Sequence, residues 1–330
     1  MKKITLAAAL LLCSFLSYGW GFFGHKLVHQ LAIYNLPKEL QGFYFKYQDY
    51  VVSKSTRPDE RRNDDPAEAP RHFIDIDVYG PDAVNTMPEA WEAAAAKYSA
   101  DTLLKYGIVP WHVMVMKERL TNAFRQKNVD SILYYSADLG HYVADAHVPL
   151  HTTQNYDGQM TGQPGLHSLW ESKVPEMFAN TYRLRPNKAR YLPDAEKEIW
   201  KIVRDSYALT QPTLALEQEA GKGFTDETKY DRVERNGKIR QYYSDAFAKA
   251  YQEKLAAMVE QRLNAAALEV ASFWYTCWVD GGKPDIDELM QQPLTRAEKK
   301  ELRKEKQAYR RGQLFDKGMI IANRKPASQP

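Results

Sequence analysis

The sequence has very little cysteine and only one short apolar run. Its 330 residues contain two cysteines, Cys13 and Cys277, which excludes a disulfide-rich scaffold and a zinc site built from several thiolates. The apolar run over positions 4–12 is too short to span a membrane, and no later stretch is apolar enough to cross a bilayer. GxSxG, HExxH, P-loop and CxxC motifs are also missing. The catalytic patterns that these motifs mark are therefore excluded.

A strong excess of one charge is missing as well. The chain has 45 Lys and Arg against 42 Asp and Glu, a formal net charge of +3. This excludes the broad cationic surface typical of proteins that bind double-stranded DNA. The exception is the C-terminal end, where residues 294–330 carry eleven Lys or Arg and four Asp or Glu. We interpret residues 291–330 as a basic tail, a solvated helix or loose segment in preference to a contact for phosphates or anionic lipid.

The first nineteen residues are organised like an export signal. Two lysines precede an apolar run over positions 4–12, and small residues follow before Trp20. The alternative is a lipoprotein signal ending at Cys13, which the leucines at positions 10–12 disfavour. We predict a signal peptide over residues 1–19 and a periplasmic or extracellular mature protein. Cys277 would then be the only cysteine left, and we expect it to be buried.

The rest of the chain has helical periodicity and helix-forming composition. It shows no convincing alternating strands, no repeats and no linker before about Lys283. Residues 20–290 are therefore predicted to form a single all-α domain. One long polar loop, over residues 55–80, interrupts the helices, and loops of this length are often functional.

The chemistry is concentrated between Leu139 and Glu171. His141 and Asp145 are four residues apart, as are His167 and Glu171, a spacing that places each pair on one helix face with Cβ atoms about 5–6 Å apart. His151 lies between them, after a proline turn. Imidazole and carboxylate ligands favour zinc or a similar divalent ion.

The candidate ligands outnumber the roughly four that one zinc ion takes. Several ions a few ångströms apart are the simplest interpretation, and such clusters clamp the attacking and leaving oxygens of a phosphoryl group. Three lone histidines are interpreted as packed or surface residues: His29, His112 and His147. Of these, His147 is close enough in sequence to be a neighbour of the site.

Together with RPDERR and PRHFID, which contain Asp59 and His72, this pattern resembles a known superfamily. It joins zinc-dependent bacterial phospholipase C to the single-strand-specific zinc nucleases of fungi and plants. The resemblance implies an all-α fold with three zinc ions in a cleft. It also implies a mature N-terminal tryptophan that binds zinc through its free amine and its carbonyl oxygen. Nine ligands are implied in this chain: Trp20, His25, Asp59, His72, His141, Asp145, His151, His167 and Glu171.

The resemblance also distributes these ligands among three ions. It gives the first ion to Asp59, His72, His141 and Asp145. It gives the second to His151, His167 and Glu171. It gives the third to Trp20, His25 and a bridging Asp145.

Three features favour the nuclease branch. His25 has the nuclease spacing from Trp20, and Arg62 follows Asp59 where the nucleases keep an arginine that stabilises the transition state. Phe73 and Asp75 match the pair that stacks a base and bonds its edge, and such stacking contributes about 1–3 kcal/mol per base. An ordinary loop anchor and a turn-capping acid are the alternative interpretation of that pair.

One feature favours the phospholipase branch. The glutamate at position 171 resembles the ligand of the phospholipase, whereas the fungal nucleases usually have an aspartate at this position.

The expected function is therefore a zinc-dependent phosphodiester hydrolase. We expect a single-strand-type nuclease or 3′-nucleotidase that acts on DNA or RNA and yields 5′-nucleotides, with Asp59 and Arg62 as the catalytic pair. One alternative is a phospholipase C acting on phospholipid head groups. Another is a non-catalytic helical module that metal merely stabilises. No obligate protein partner is evident from the sequence.

Overall fold

The computed structural model describes residues 20–235 and 238–324, and the regular secondary structure of these residues is helical except for one short hairpin. The all-α prediction is confirmed. The predicted signal over residues 1–19, with Cys13, lies outside the described residues and stays a prediction, as do the domain limits at 20 and 290. Cys277 is buried and free, as expected. Within the described ranges every helix falls short of the length and apolar character that a membrane crossing requires.

The helices of the first half are α1 (Phe22–Asn35), α2 (Lys38–Lys46), α3 (Gln48–Ser53), α4 (Arg57–Arg61), α5 (Ala83–Thr86), α6 (Trp91–Tyr98), α7 (Ala100–Tyr106), α8 (Val109–Arg125) and α9 (Val129–Asp145). Those of the second half are α10 (Leu166–Ser168), α11 (Val174–Phe178), α12 (Ala195–Tyr207), α13 (Thr210–Ala220), α14 (Asp226–Lys229), α15 (Asp245–Leu255), α16 (Met258–Asp280), α17 (Ile286–Leu289) and α18 (Arg296–Arg310). Short 3₁₀ turns connect several of them, at Lys54–Thr56, Ala69–Arg71, Ile76–Tyr79, Pro149–Thr152, Ala179–Thr181 and Ile321–Asn323.

The centre of the fold is a packed group of long helices, in which α1 and α9 both pack on α16, and α8 lies beside α9 and α16. Asn128 precedes helix α9, and its side chain accepts a hydrogen bond from the backbone N–H of Ser131 and so caps the helix. Gly140 lets α1 come close, because a Cβ there would lie 2.4 Å from Nε2 of His29. This close approach brings the first turns of α1 against the end of α9, where the predicted ligands are.

The structure contains one element that the sequence analysis missed. Strands β1 (Tyr230–Arg235) and β2 (Lys238–Tyr243) form an antiparallel hairpin, and they are the only strands in the part of the chain that the structure describes. At its base Tyr243 stacks on Phe247 and donates a hydrogen bond to the buried Glu217. The hairpin is a small addition to the helical fold.

The basic C-terminal segment is a helix with one buried face. Helix α18 begins with a capping box between Thr295 and Glu298. Ala308 and Tyr309 are buried on its inner face. The hydroxyl of Tyr309 donates to the carbonyl oxygen of Arg185 at 2.7 Å. The segment is therefore a helix, as one alternative held, but it is packed and not fully solvated.

Replacing Tyr309 with alanine should destabilise the protein by about 3–5 kcal/mol, the usual cost of deleting a large buried aromatic side chain. The matched control is Arg310→Ala, since Arg310 is the next residue and is exposed. Its free energy of unfolding should change by less than about 0.5 kcal/mol. Urea denaturation of both variants measures the difference. Equal, small effects would show that α18 adds nothing to the stability of the fold.

Candidate metal centre

Three groups of buried histidine and carboxylate side chains lie together near the ends of α1 and α9. Their members are His25, His141 and Asp145; Asp59, His72 and His141; and His151, His167 and Glu171. Within each group the potential ligand atoms lie within 4.8 Å of one another. The structure therefore brings together the eight predicted ligands that offer side-chain atoms, and each group could hold a metal ion.

The two helical pairs have the geometry that their spacing predicts. On α9, Oδ2 of Asp145 lies 3.1 Å from Nε2 of His141. Oε2 of Glu171 lies 2.8 Å from Nε2 of His167. The second pair spans α10 and a π-helical turn over Leu169–Lys173, a distortion that is frequent at functional sites.

Asp145 lies between two of the three groups. Its Oδ2 is 2.9 Å from Nδ1 of His72, on the side of Asp59 and His141. Its Oδ1 is 3.3 Å from Nε2 of His25. One carboxylate thus offers an oxygen to each of two potential ion positions.

Many polar atoms of these groups are buried without a hydrogen bond. They include both oxygens of Asp59, both ring nitrogens of His25, Oδ1 of Asp145 and Oε2 of Glu171. Leaving such atoms unpaired costs about 1–3 kcal/mol each, and more if they are charged. A divalent cation would satisfy them, and a set of nitrogen and oxygen donors suits zinc.

The titration behaviour of the metal-free groups points the same way. Burial raises the pKa of Glu171 to about 8. Burial also lowers the pKa of His25 to about 3. For His141 burial opposes protonation, but the neighbouring carboxylates of Asp145 and Asp59 raise its pKa to about 9. The protonation of these groups therefore depends on burial and on their charged neighbours, as expected when several titratable side chains share a small buried space.

Backbone carbonyls fix the orientation of two of the histidines. Nδ1 of His141 donates to the carbonyl oxygen of Ser55 at 2.7 Å. Nδ1 of His151 donates to the carbonyl oxygen of His72 at 2.8 Å. In the neutral form of each ring the proton is then on Nδ1, so the lone pair of Nε2 is available to bind a metal ion.

Trp20 is held tightly beside these groups. Its side chain is fully buried, and its Nε1 donates to the carbonyl oxygen of Ala144 at 2.8 Å. The next backbone N–H, of Gly21, donates to the carbonyl oxygen of Glu171 at 3.1 Å. Trp20 is therefore fixed beside Ala144, the residue before Asp145, and beside Glu171.

A cavity of about 170 Å³ opens beside the groups. Its walls are Arg62, His72, Phe73, Asp75, Leu150, His151, Tyr156 and His167. Nη1 of Arg62 lies 3.9 Å from Oδ1 of Asp59. The three residues that the sequence predicted for substrate and transition state, Arg62, Phe73 and Asp75, thus all face one space with the potential ligands.

The family model for S1/P1 nuclease matches residues 20–274 of this chain. The chain belongs to the S1/P1 nuclease family. It is also similar to nuclease S1 of Aspergillus oryzae (strain ATCC 42149 / RIB 40), with 24% identity over 200 residues. That match covers 56% of this chain and 64% of the fungal protein, so it spans less than two thirds of its relative. The predicted resemblance and its nuclease branch are confirmed.

In this member of the S1/P1 nuclease family the lone histidines are packed, as predicted. Nδ1 of His29 lies 2.8 Å from the carbonyl oxygen of His25. The His112 ring packs edge-on against Tyr142 at 4.5 Å. Nδ1 of His147 donates to the carbonyl oxygen of Val143 at 2.8 Å. His147 is not a member of any of the three potential ligand groups.

Two residues near the site were missed by the sequence analysis. Tyr156 lines the cavity, and its ring lies 5.9 Å from that of His167. No periodic signal marks it, because it lies in an irregular loop. Glu68 is buried behind His72. A signal did exist for Glu68, since it precedes His72 by four residues.

Proposed function

We propose that this chain is a zinc-dependent phosphodiester hydrolase that cleaves single-stranded DNA or RNA to give 5′-nucleotides. As a 3′-nucleotidase it would also release phosphate from 3′-nucleotides and leave the nucleoside. The observation that carries the proposal is that members of two of the three potential metal groups line one cavity together with the side chains of Arg62, Phe73 and Asp75. Membership of the S1/P1 nuclease family supports it. Glu171 is the residue that leaves phospholipase C action as the second candidate.

Three zinc ions would be held by the three groups, with Trp20 adding its amine and carbonyl oxygen to the one that contains His25. When bound, such ions make water a nucleophile at neutral pH and neutralise charge on phosphoryl oxygens. The buried, unpaired atoms of Asp59, His25 and Asp145 fit this donor set.

Asp59 and Arg62 would act on the reacting phosphate. Asp59 is buried and neither of its oxygens has a hydrogen-bond partner, so one oxygen could bind an ion while the other meets the attacking water. It would orient the attacking water and accept its proton. Arg62, at the wall of the cavity, would bond the phosphoryl oxygens and stabilise the charge that develops on them.

Phe73 and Asp75 would bind the base next to the cleaved bond. An aromatic face stacks on any base, which supports broad sequence tolerance. Asp75 is only 8% exposed, so its carboxylate would bond the edge of a base in a site that largely excludes water. An unpaired base is needed for such contacts, which favours single strands.

Base binding should weaken as the pH falls through 7. Burial, and then the nearby Asp77, raises the pKa of Asp75 to about 7. Below that pH the carboxyl gains a proton and no longer accepts two hydrogen bonds from guanine. The KM for a guanine-containing dinucleotide should therefore rise about tenfold from pH 8 to pH 6, as the ionised fraction falls to roughly a tenth. Steady-state kinetics of the zinc-loaded protein measures it.

Asp75→Asn is the matched control for this pH effect, and its KM should change little between pH 6 and pH 8.

The thermal stability of Asp75→Asn provides a second readout. Because the folded-state pKa lies above the ordinary value, the folded state binds more protons than the unfolded state between about pH 4 and 7. Asp75 therefore destabilises the fold above that window, and Asp75→Asn should melt higher than wild type at pH 8. A variant with the wild-type pH profile would contradict the role of Asp75.

A substrate panel tests the proposed function. The zinc-loaded protein starting at Trp20 should hydrolyse single-stranded DNA and RNA, 3′-AMP and bis(p-nitrophenyl) phosphate, and duplex DNA much more slowly. Turnover of phosphatidylcholine alone would establish the phospholipase alternative. Unfolding on chelation, without hydrolysis of any substrate, would establish the non-catalytic module.

The place of action would be outside the cytoplasm. The support is the signal-like organisation of residues 1–19, with a cut that exposes Trp20. Mass spectrometry of the mature protein should give an N-terminus at Trp20. A lipid-modified N-terminus at Cys13 would contradict this processing.

A further inference from the structure

A buried carboxylate lies behind one of the potential metal ligands. Glu68 is fully buried, and its Oε1 is 3.5 Å from Nε2 of His72. The opposite ring nitrogen, Nδ1, lies 2.9 Å from Oδ2 of Asp145 and so faces the centre. The His72 ring is thus placed between the metal groups and a second, more distant carboxylate.

This arrangement differs from that of the other two oriented histidines. The outer nitrogens of His141 and His151 meet neutral backbone carbonyls. The outer nitrogen of His72 meets a carboxylate. A carboxylate behind a ligating imidazole fixes the tautomer and makes the ring a stronger ligand.

Several donors keep Glu68 charged. Both of its oxygens accept from Arg61, at 3.3 Å each. Arg71 and the hydroxyl of Tyr142 also donate to it. Hydrogen bonds from two arginines and a hydroxyl group stabilise the negative charge of this buried carboxylate.

Neither arginine depends on Glu68 alone. Nη1 of Arg61 lies 2.9 Å from Oδ2 of Asp138, and Nη1 of Arg71 lies 3.6 Å from Oδ2 of Asp65. Neutralising Glu68 would therefore leave each arginine with another carboxylate. This makes Glu68→Gln a conservative probe, equal in size and still able to accept hydrogen bonds.

We infer that Glu68 is a positioning residue that holds His72 with Nδ1 directed at the metal and strengthens it as a ligand of the group formed with Asp59 and His141. The inference rests on the proposed function, because it requires a zinc ion in that group. Glu68 itself does not contact the ion or the substrate. It acts through the ring of His72.

A purely structural role is the competing explanation, since Glu68 also ties the 62–72 loop to α9 through Tyr142. The two roles can be separated. Tyr142→Phe removes one bond to Glu68 and leaves the contact between Glu68 and His72 intact. If Glu68 only ties the loop, both variants should behave alike.

The experiment is a zinc titration against a competing chelator, on wild type, Glu68→Gln, Glu68→Asp and Tyr142→Phe, with the melting temperature of each metal-free protein. Glu68→Gln should weaken one of the three ions about 10- to 100-fold, the usual cost of losing an outer partner of a metal ligand. The other two ions should bind as in wild type. Glu68→Asp keeps the charge but is one methylene shorter, so its affinity should be intermediate. Tyr142→Phe should lower the melting temperature and leave all three affinities unchanged.

Other outcomes overturn the inference in distinguishable ways. Wild-type zinc affinities in Glu68→Gln would refute it and leave the proposed function standing. A uniform loss at all three ions, matched by Tyr142→Phe, would establish the structural role instead. A wild-type protein that binds no zinc would refute the proposed function, and this inference with it.

Discussion

Replacing Asp145 with asparagine should remove two of the three zinc ions and most of the activity. Its oxygens face His25 on one side and His72 and His141 on the other. An amide has one weak ligand oxygen where the carboxylate has two charged ones, so both ion positions lose a ligand at once. We expect kcat to fall by roughly 10²–10³-fold or more, the loss seen when one preorganised electrostatic group is removed from a transition state.

Asp138→Asn is the matched control for this prediction. Asp138 lies on α9 two turns earlier and is also buried, but its carboxylate pairs with Arg57 and Arg61 and belongs to none of the three groups. That variant should be less stable than wild type yet retain three ions and its activity. Zinc content by elemental analysis and kcat are measured for both. An Asp145→Asn protein with full zinc and wild-type kcat would show that Asp145 does not bridge.

A single extra residue before Trp20 should remove one zinc ion and most of the activity. The expected ligand is the free α-amine, which titrates near ~8 and can lose its proton to a metal at neutral pH. In a peptide bond that nitrogen is an amide and no longer a ligand. Trp20 cannot move to compensate. Its buried ring donates a hydrogen bond to the carbonyl oxygen of Ala144, and the backbone N–H of Gly21 donates one to the carbonyl oxygen of Glu171.

The control for the extended protein is its own cleavage product. Protease removal of the extra residue should restore the third ion and the activity without refolding. The groups containing Asp59 and Glu171 should stay loaded throughout, since neither uses the chain end. Three ions in the extended protein would contradict the ligand role of the amine.

The fold class and part of the centre follow from short-range patterns. Helical periodicity predicts α9 and its neighbours, and the four-residue spacing predicts that His141 meets Asp145. Asp59, in the short helix α4, and His72, in the irregular segment after it, were assigned by resemblance alone, because no periodic pattern predicts the path of the chain between them. Tertiary packing decides that, and only the structure shows it.

Three misses have identifiable causes. For the hairpin, the sequence has Asn-Gly at positions 236–237, a dipeptide that predicts a two-residue turn, but the many charged residues on either side of it obscured the strand pattern. Glu68 has the same four-residue spacing to His72 as the predicted pairs, but a proline lies between them. The packed face of α18 was missed because its many charges obscure a narrow apolar stripe.

The central claim is a cluster of three zinc ions. Its ligands come from Trp20, the start of α1, the end of α9, the segment from α4 to His72, the Pro149–Thr152 turn, and α10 with the π-helical turn after it. The most direct test is the zinc content per chain of the protein that begins at Trp20, measured by elemental mass spectrometry after removal of loosely bound metal. Three groups of ligands predict three zinc ions per chain. One ion per chain would contradict the cluster and the mechanism that depends on it.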